Sequence, residues 1–341
     1  MELRTGILLV NLGSPESPNP GDVRRYLREF LSDPRVLDIP TVLRTALLEG
    51  VILPFRPRRS AAAYRQIWTP EGSPLLVHGR ALRAALASAL GPGYVVELAM
   101  RYGTPSLRGA LLRLAGADVA RIVAVPLYPQ YSTAATGSTI AALEAELRQQ
   151  PELPPLECLP PFHSDPGFIR AWTEVAGPEL DRFRPDYVLF SYHGLPVRQL
   201  TKVDARANTC LVQSDCCDTL HAANRLCYRA HCYATTRALA AALSLEPARH
   251  GVGFQSRLGG GKWIRPYTDK RLPELAAAGH RRLAILCPAF VADCLETLEE
   301  IGIRARDQWK QLGGEALHLV PSLNAHPAWV EGLASRLRSR A

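Results

Sequence analysis

Short uninterrupted apolar runs alternate along this chain with longer segments rich in alanine and leucine. Residues 6–10 form one such run and stop at Asn-Leu-Gly-Ser-Pro. Residues 121–126 behave the same way before Tyr-Pro-Gln-Tyr. Residues 187–191 read Tyr-Val-Leu-Phe-Ser and stop at Tyr-His-Gly-Leu-Pro; residues 283–287 read Leu-Ala-Ile-Leu-Cys and stop at Pro288. Between them lie helical patterns such as 80–90 and 236–243. Apolar strands separated by helices predict a parallel sheet covered on both faces, and Gly and Pro supply the punctuation.

A weak internal echo refines this picture. Leu-Leu-Val-Asn-Leu-Gly-Ser-Pro at 8–15 parallels Leu-Phe-Ser-Tyr-His-Gly-Leu-Pro at 189–196, and the run entering Pro126 parallels the run entering Pro288. Two similar α/β halves account for both pairs. The Pro-rich stretch 151–161 is the natural linker. The expected division is a first α/β half over 1–155, a second over 156–324, and a final helix over 325–341. Ligands of such sheets sit beyond the carboxyl ends of the strands, so the chemistry is expected at those junctions, facing one cleft between the halves.

Composition narrows the class. With 341 residues the chain can hold two domains of about 150 residues each, and 47% hydrophobic residues allow substantial cores. No stretch of about 18 uncharged apolar residues predicts a membrane span, and the first residues read as a strand rather than a signal peptide. The expected compartment is the cytoplasm. The net charge of +8 suits a solvated arginine-rich face or anionic lipid; nucleic acid is not expected as a partner. Residues 41–59 set apolar positions beside Arg56, Arg58 and Arg59, which fits either an interfacial lip touching a membrane peripherally or a plain core helix with a basic loop. The chain fixes no oligomeric state.

Several residues could carry chemistry. His193 follows a buried strand and precedes Gly194, which lets the backbone turn and leaves the imidazole at the strand tip. Asp293, Glu296 and Glu300 fall at i, i+3, i+7, one helix face, with Glu299 beside them. Such a row of acids suits a cation or travelling protons, or a solvated helix start. Arg101 and Tyr102, with Gln255, Ser256 and Arg257, suit an anionic ligand with a flat apolar body. Trp68, Tyr128, Tyr131, Trp263 and Tyr267 supply aromatic surface. Gly259-Gly260-Gly261-Lys262 is no phosphate loop, because Trp263 stands where Ser or Thr is required. Five of the eight cysteines, Cys210, Cys216, Cys217, Cys227 and Cys232, crowd into one polar stretch. By spacing they could hold a [2Fe–2S] cluster or zinc, or remain thiols.

Taken together, Leu9-Val10-Asn11-Leu12-Gly13-Ser14-Pro15, Gly72-Ser73-Pro74, Tyr128-Pro129-Gln130-Tyr131-Ser132, Ser191-Tyr192-His193-Gly194-Leu195-Pro196, Phe254-Gln255-Ser256-Arg257 and Asp293 through Glu300 resemble the ferrochelatase family, in order, from about residue 5 to about residue 330. The resemblance implies two Rossmann-like domains around a porphyrin cleft, with ferrous iron and protoporphyrin IX as substrates, or coproporphyrin III as the near alternative. A non-catalytic carrier of metal or tetrapyrrole would share this fold. The resemblance further implies that His193 is the active-site histidine and Glu296 the acid facing it, and that the last helix crosses back to the first domain.

On this basis Leu12, Tyr128 and Trp263 are expected to grip the ring, Arg101 and Arg65 to hold propionates, and Tyr102, Gln255 and Ser256 to contact the porphyrin. His193 and Glu296 would handle iron and pyrrole protons; Asp293, Glu299 and Glu300 would lead protons or metal away. The segment at about 201–232 is longer than in simple bacterial members. It looks like the bacterial variants carrying an internal [2Fe–2S] cluster, held by four of the five crowded cysteines. Cys294 stands where animal enzymes carry histidine.

Overall fold

The structure is a computed structural model and describes residues 4–203, 211, 215–257 and 261–340. It divides into two compact units. The first takes in the chain as far as Tyr128, then Thr133–Pro161, then the last residues from Leu333; the second takes in Pro129–Ser132 and Phe162–Gly332. The boundary at 161/162 lies beyond the expected 155/156, and residues 129–132 belong with the second unit.

The first unit is built on β1 (Arg4–Asn11), β2 (Tyr94–Met100), β3 (Val119–Pro126) and β4 (Leu156–Cys158). All pair in parallel, in the order β2-β1-β3-β4. Its helices are α1 (Pro20–Ser32), α2 (Thr41–Leu47), α3 (Leu53–Ile67), α4 (Pro74–Leu90), α5 (Leu107–Ala115) and α6 (Ser138–Gln149). Ile7 through Val10 are fully buried, as expected of a strand covered on both faces. Leu8, Val10, Ile122 and Ala124 pack with Leu107, Leu111 and Leu114 of α5 into one core. Ser73 and Ser106 cap α4 and α5, each accepting a backbone N–H of the first turn.

The second unit repeats the plan with β5 (Tyr187–His193), β6 (His250–Gln255), β7 (Arg282–Leu286) and β8 (Ala316–Leu319), in the order β6-β5-β7-β8. Its helices are α7 (Pro166–Phe183), α8 (Val197–Thr201), α9 (Tyr228–Ala242), α10 (Thr268–Ala277), α11 (Leu295–Leu298), α12 (Arg306–Gln311) and α13 (Pro327–Arg338), the last of which ends in the first unit. The two strand orders are equivalent. The echoed segments at 8–15 and 189–196 therefore leave equivalent central strands, β1 and β5, and Pro126 and Pro288 mark the ends of β3 and β7. In each unit the connection from the central strand goes to one side and the next strand lies on the other. The strand tips at this reversal are where ligands of such sheets bind.

Two histidines in the second unit form a buried stack. The rings of His163 and His231 lie 3.8 Å apart at 11°. His231 Nδ1 accepts the Tyr131 N–H at 3.1 Å, and its Nε2 donates to the Arg225 carbonyl at 2.9 Å. His163 Nδ1 is buried without a hydrogen-bond partner among the described residues. Burial, reinforced by any charge on His231, pushes His163 down to about 4, and burial lowers His231 as well. Both folded-state values lie below the unfolded value of about 6.5. The neutral pair therefore contributes its full stability above pH ~6.5 and loses it as pH falls from there toward ~4, because the unfolded chain takes up protons first. Thermal melts across this window should show a falling midpoint that flattens in His163→Phe. An unchanged slope in that variant would exclude the pair as the cause.

Candidate active site

The second unit gathers its chemistry at the carboxyl edge of β5, β6 and β7. His193 ends β5 directly beside Gln255, the last residue of β6. The next peptide continues the ladder, with Gly194 N–H donating to the Gln255 carbonyl at 2.7 Å. A Cβ at position 194 would stand 2.7 Å from that carbonyl oxygen and 3.4 Å from the Trp263 ring. Glycine is therefore a requirement of close approach here. Residues beyond Gly194 pair with the segment that carries Trp263: Val197 N–H donates to the Lys262 carbonyl at 2.9 Å, and Ile264 N–H to the Leu195 carbonyl at 3.0 Å.

The His193 imidazole has a defined tautomer. Its Nδ1 lies 2.6 Å from the Gly194 carbonyl oxygen. A carbonyl only accepts, so Nδ1 carries the proton and Nε2 keeps its lone pair. The ring meets Phe290 edge-on at 6.4 Å and is half-buried.

Glu296 sits in the single turn of α11, after β7. Gln255 fastens that turn to the sheet: its Oε1 accepts the Ser191 hydroxyl at 2.6 Å, and its Nε2 donates to the Glu296 carbonyl at 2.7 Å. Cys294 caps α11, and its thiol is in hydrogen-bonding contact with the Glu296 carboxylate. Burial, with the Glu296 charge added, pushes Cys294 far up, so it stays a neutral thiol. His193, at the end of β5, and Glu296, in the turn after the neighbouring β7, are thus each tied to Gln255 through their backbones or the next peptide.

The remaining acids are arranged differently from the expected open row. Asp293 accepts bonds from Thr297 Oγ1 at 3.0 Å, Asn324 Nδ2 at 2.9 Å and Ser322 N–H at 3.3 Å. It anchors the loop that carries α11. Glu299 accepts Arg304 Nε at 2.9 Å on both oxygens. Glu300 accepts the Ser256 N–H at 2.9 Å and also the Ser256 hydroxyl. A π turn begins at Glu300 and runs to Ala305, so the helical register changes only beyond Glu300.

Two residues of this unit expected to contact the porphyrin have internal partners. Gln255 is 3% exposed and uses both ends of its amide internally. Ser256, in the left-handed region at φ +64°, has its N–H and hydroxyl engaged by Glu300. Trp263 is half-buried beside Gly194.

In the first unit, Leu12 is half-buried at the tip of β1, its carbonyl accepting Tyr102 N–H at 2.9 Å. Tyr102 is buried, with its hydroxyl at 2.9 Å from both Asp33 and Ser138, so its hydroxyl is turned into the protein and not toward a ligand. Arg101 stacks on Tyr102 at 4.3 Å and donates to Asp33 at 2.8 Å and Ser138 Oγ at 2.8 Å. Its charge is matched by a carboxylate that sequence reading did not anticipate. Burial opposes ionisation of Asp33, but hydrogen bonds from Ser138, Arg35 N–H and Tyr102, together with the Arg101 charge, hold it below the ordinary carboxylate range. Arg65 is exposed and donates to the Pro18 carbonyl at 3.4 Å. Tyr128 is half-buried, its hydroxyl 3.4 Å from Thr139 Oγ1.

The crowded cysteines flank the start of α9. Cys210 lies outside the described residues. The other four are thiols in no disulfide. Cys216 Sγ and Cys217 Sγ are 3.7 Å apart, and Cys217 is in hydrogen-bonding contact with Cys227. Cys232 is fully buried on α9 against Tyr228. Among the described residues no three His, Cys, Asp or Glu side chains form a metal-holding group. The donor chemistry suits an iron–sulfur cluster; the ligand set within the described residues is incomplete.

The fold and this strand-tip site define a protein of the chelatase class, two parallel α/β sheets of equivalent topology. The sirohydrochlorin chelatase SirB from Bacillus subtilis subspecies spizizenii, in complex with cobalt, superposes with a TM-score of 0.55 at 10% identity, over 99% of this chain and 96% of its own. SirB from Bacillus subtilis with Fe3+ gives 0.52 at 14% identity, over 99% and 96%. Closer likeness comes from sequence. The ferrochelatase family model matches residues 4–341. Ferrochelatases of Coxiella burnetii (strain Dugway 5J108-111) and Legionella pneumophila (strain Lens) are 49% and 46% identical, over 97% and 98% of this chain and 92% and 98% of their own lengths. The chain belongs to the ferrochelatase family, whose members insert iron into a porphyrin for haem synthesis.

Proposed function

We propose that His193 is the general base and Glu296 the metal-side carboxylate of this iron insertion. The observation that carries the reading is the imidazole tautomer: Nδ1 is committed to the Gly194 carbonyl, so Nε2 is presented as an acceptor at the strand tip. A porphyrin resists metallation because its nitrogen lone pairs point into the ring plane and two nitrogens carry weakly acidic protons. A site that stabilises a distorted ring turns a lone pair outward, and a positioned base removes the proton as iron enters. His193 Nε2 accepts that proton. Glu296, beside a neutral Cys294, meets the cation. Asp293, Glu299 and Glu300 act as anchors of the loop and turn. Trp263 supplies apolar surface for the macrocycle.

The preferred porphyrin in this reading is protoporphyrin IX. Arg101 is matched by Asp33, which leaves less unmatched positive charge for the two additional propionates of coproporphyrin III.

We also propose that the cysteine segment holds a [2Fe–2S] cluster on Cys210, Cys216, Cys217 and Cys227. The support is the contiguity of three thiols and the separate burial of Cys232 against Tyr228. A bound cluster would cross-link the segment and could exchange an electron; iron insertion needs none. A further proposal concerns α2 and α3 with the π turn Leu48–Ile52 between them. Val42 is 80% exposed and Phe55 75%, with Leu43 and Val51 also outward, close to Arg56, Arg58 and Arg59. Apolar side chains with a basic rim suit peripheral contact with anionic lipid at the inner face of a membrane. Among the described residues no helix is long and apolar enough to cross one.

Four outcomes test these readings. His193→Gln and Glu296→Gln should each lower iron insertion into protoporphyrin IX by about 10² or more with the fold intact by circular dichroism; full activity in either removes that residue. The parent should also metallate protoporphyrin IX faster than coproporphyrin III, and the reverse order would replace the substrate assignment. Protein purified without oxygen should contain about two iron and two acid-labile sulfide per chain; zinc, or iron without sulfide, would rule out the cluster. Vesicles containing phosphatidylglycerol should co-sediment the protein, and Phe55→Ser should weaken that binding. Equal binding to neutral vesicles would sink the electrostatic part of the claim.

A further inference from the structure

The first turn of α9 touches both the cysteine segment and the active-site strand tip. Cys227 is its N-cap, and Arg229 Nη1 donates to Cys217 Sγ at 3.1 Å. Between them, Tyr228 is buried and its hydroxyl donates to the His193 carbonyl at 2.9 Å. One turn on, His231 accepts the Tyr131 N–H. Residues in consecutive positions thus hold thiols on one side and the His193 peptide on the other.

That peptide is the one that aims the imidazole. Its carbonyl is held by Tyr228, and its N–H, on Gly194, by the Gln255 carbonyl at 2.7 Å. A peptide unit is planar, so fixing both ends fixes its rotation. The adjoining Gly194 carbonyl in turn holds His193 Nδ1 at 2.6 Å. Loss of the Tyr228 bond frees one end of this plane, and with it the direction of Nε2. A single helical turn moves as a unit, because its backbone bonds tie each residue to the next turn; His231 N–H donates to the Cys227 carbonyl at 3.0 Å.

We propose that Tyr228 is a positioning residue for His193 and that, through the first turn of α9, it makes the aim of that imidazole depend on the state of Cys217 and Cys227. The inference rests on His193 being the base, as argued above. A displacement of the thiols, by metal, oxidation or substitution, pulls on the cap of α9 and on Arg229, and the motion reaches the strand tip through one hydroxyl.

The test uses the full-length protein and protoporphyrin IX with ferrous iron under anaerobic conditions. Tyr228→Phe keeps the ring and removes the donor. It should lower kcat about tenfold while leaving the circular dichroism spectrum and the porphyrin affinity, read by fluorescence quenching, as in the parent. A merely structural role would move the last two; a parent-like kcat overturns the proposal. Should Phe prevent folding, 4-methylphenylalanine at position 228 keeps the volume without the donor. For the coupling, Cys217→Ser is made in the parent and in Tyr228→Phe. It should lower kcat in the parent and have little further effect in the second background. Additive losses, or none in the parent, overturn the coupling. Full activity in His193→Gln would remove the basis of the inference, whereas an inactive His193→Gln beside a normal Tyr228→Phe would remove this inference alone.

Discussion

The second unit depends on one buried amide. Gln255 accepts from Ser191 on β5 through its side chain, donates to the backbone of Glu296 on α11, and offers its own carbonyl to Gly194. Three segments distant in sequence are therefore held by one residue with little room to relax. Leaving such a buried polar group unmatched costs about 1–3 kcal/mol per group. The network is satisfied in this arrangement, and this arrangement places the His193 and Glu296 backbones together. Ser191 also meets Thr268 at 2.8 Å, and Gly253 leaves room for Thr268, whose Oγ1 would lie 2.6 Å from an added Cβ. The strand edge is thus built from small residues and hydroxyls, so that the amide can sit inside it.

The two units share a topology but not a chemistry. Gly13 and Gly194 follow equivalent strands and both allow a backbone to pass close: an added Cβ would stand 2.0 Å from the Tyr102 carbonyl in one case and 2.7 Å from the Gln255 carbonyl in the other. Beyond that point they diverge. The first unit surrounds its arginine with Asp33, Tyr102 and Ser138, a closed and charge-matched network. The second leaves an imidazole nitrogen available and keeps the thiol next to its carboxylate neutral. Environment decides these states: hydrogen bonds, that of Ser138 first, together with the Arg101 charge stabilise Asp33 as an anion, while burial keeps Cys294 protonated.

Much of this was legible from the order of residues, and the parts that were not share a cause. The strands were readable because apolar runs ending in Gly or Pro carry their own punctuation, and the echo of 8–15 in 189–196 foretold equivalent strands. His193 and Glu296 were readable as residues at strand ends. The partners of Asp293, Glu299, Glu300, Gln255, Tyr102 and Arg101 were not, because a polar residue beside a predicted site can equally bind a ligand or brace the residue that does. Only its partners distinguish the two. Asn324, Arg304, Ser256 and Asp33, which supply those partners, lie up to 69 positions away along the chain.

Sequence alone determined the class of fold, the strand tips as the place of chemistry, the glycine after the imidazole and the crowding of thiols. These are local or periodic properties, set by side-chain volume, backbone freedom and the two-residue alternation of strand faces. Tertiary structure decided which partners the acids meet, which tautomer His193 adopts and that Tyr228 reaches its carbonyl. Each of those depends on a contact between segments far apart in the chain, and a hydrogen bond across such a distance has no signature until folding brings both partners together.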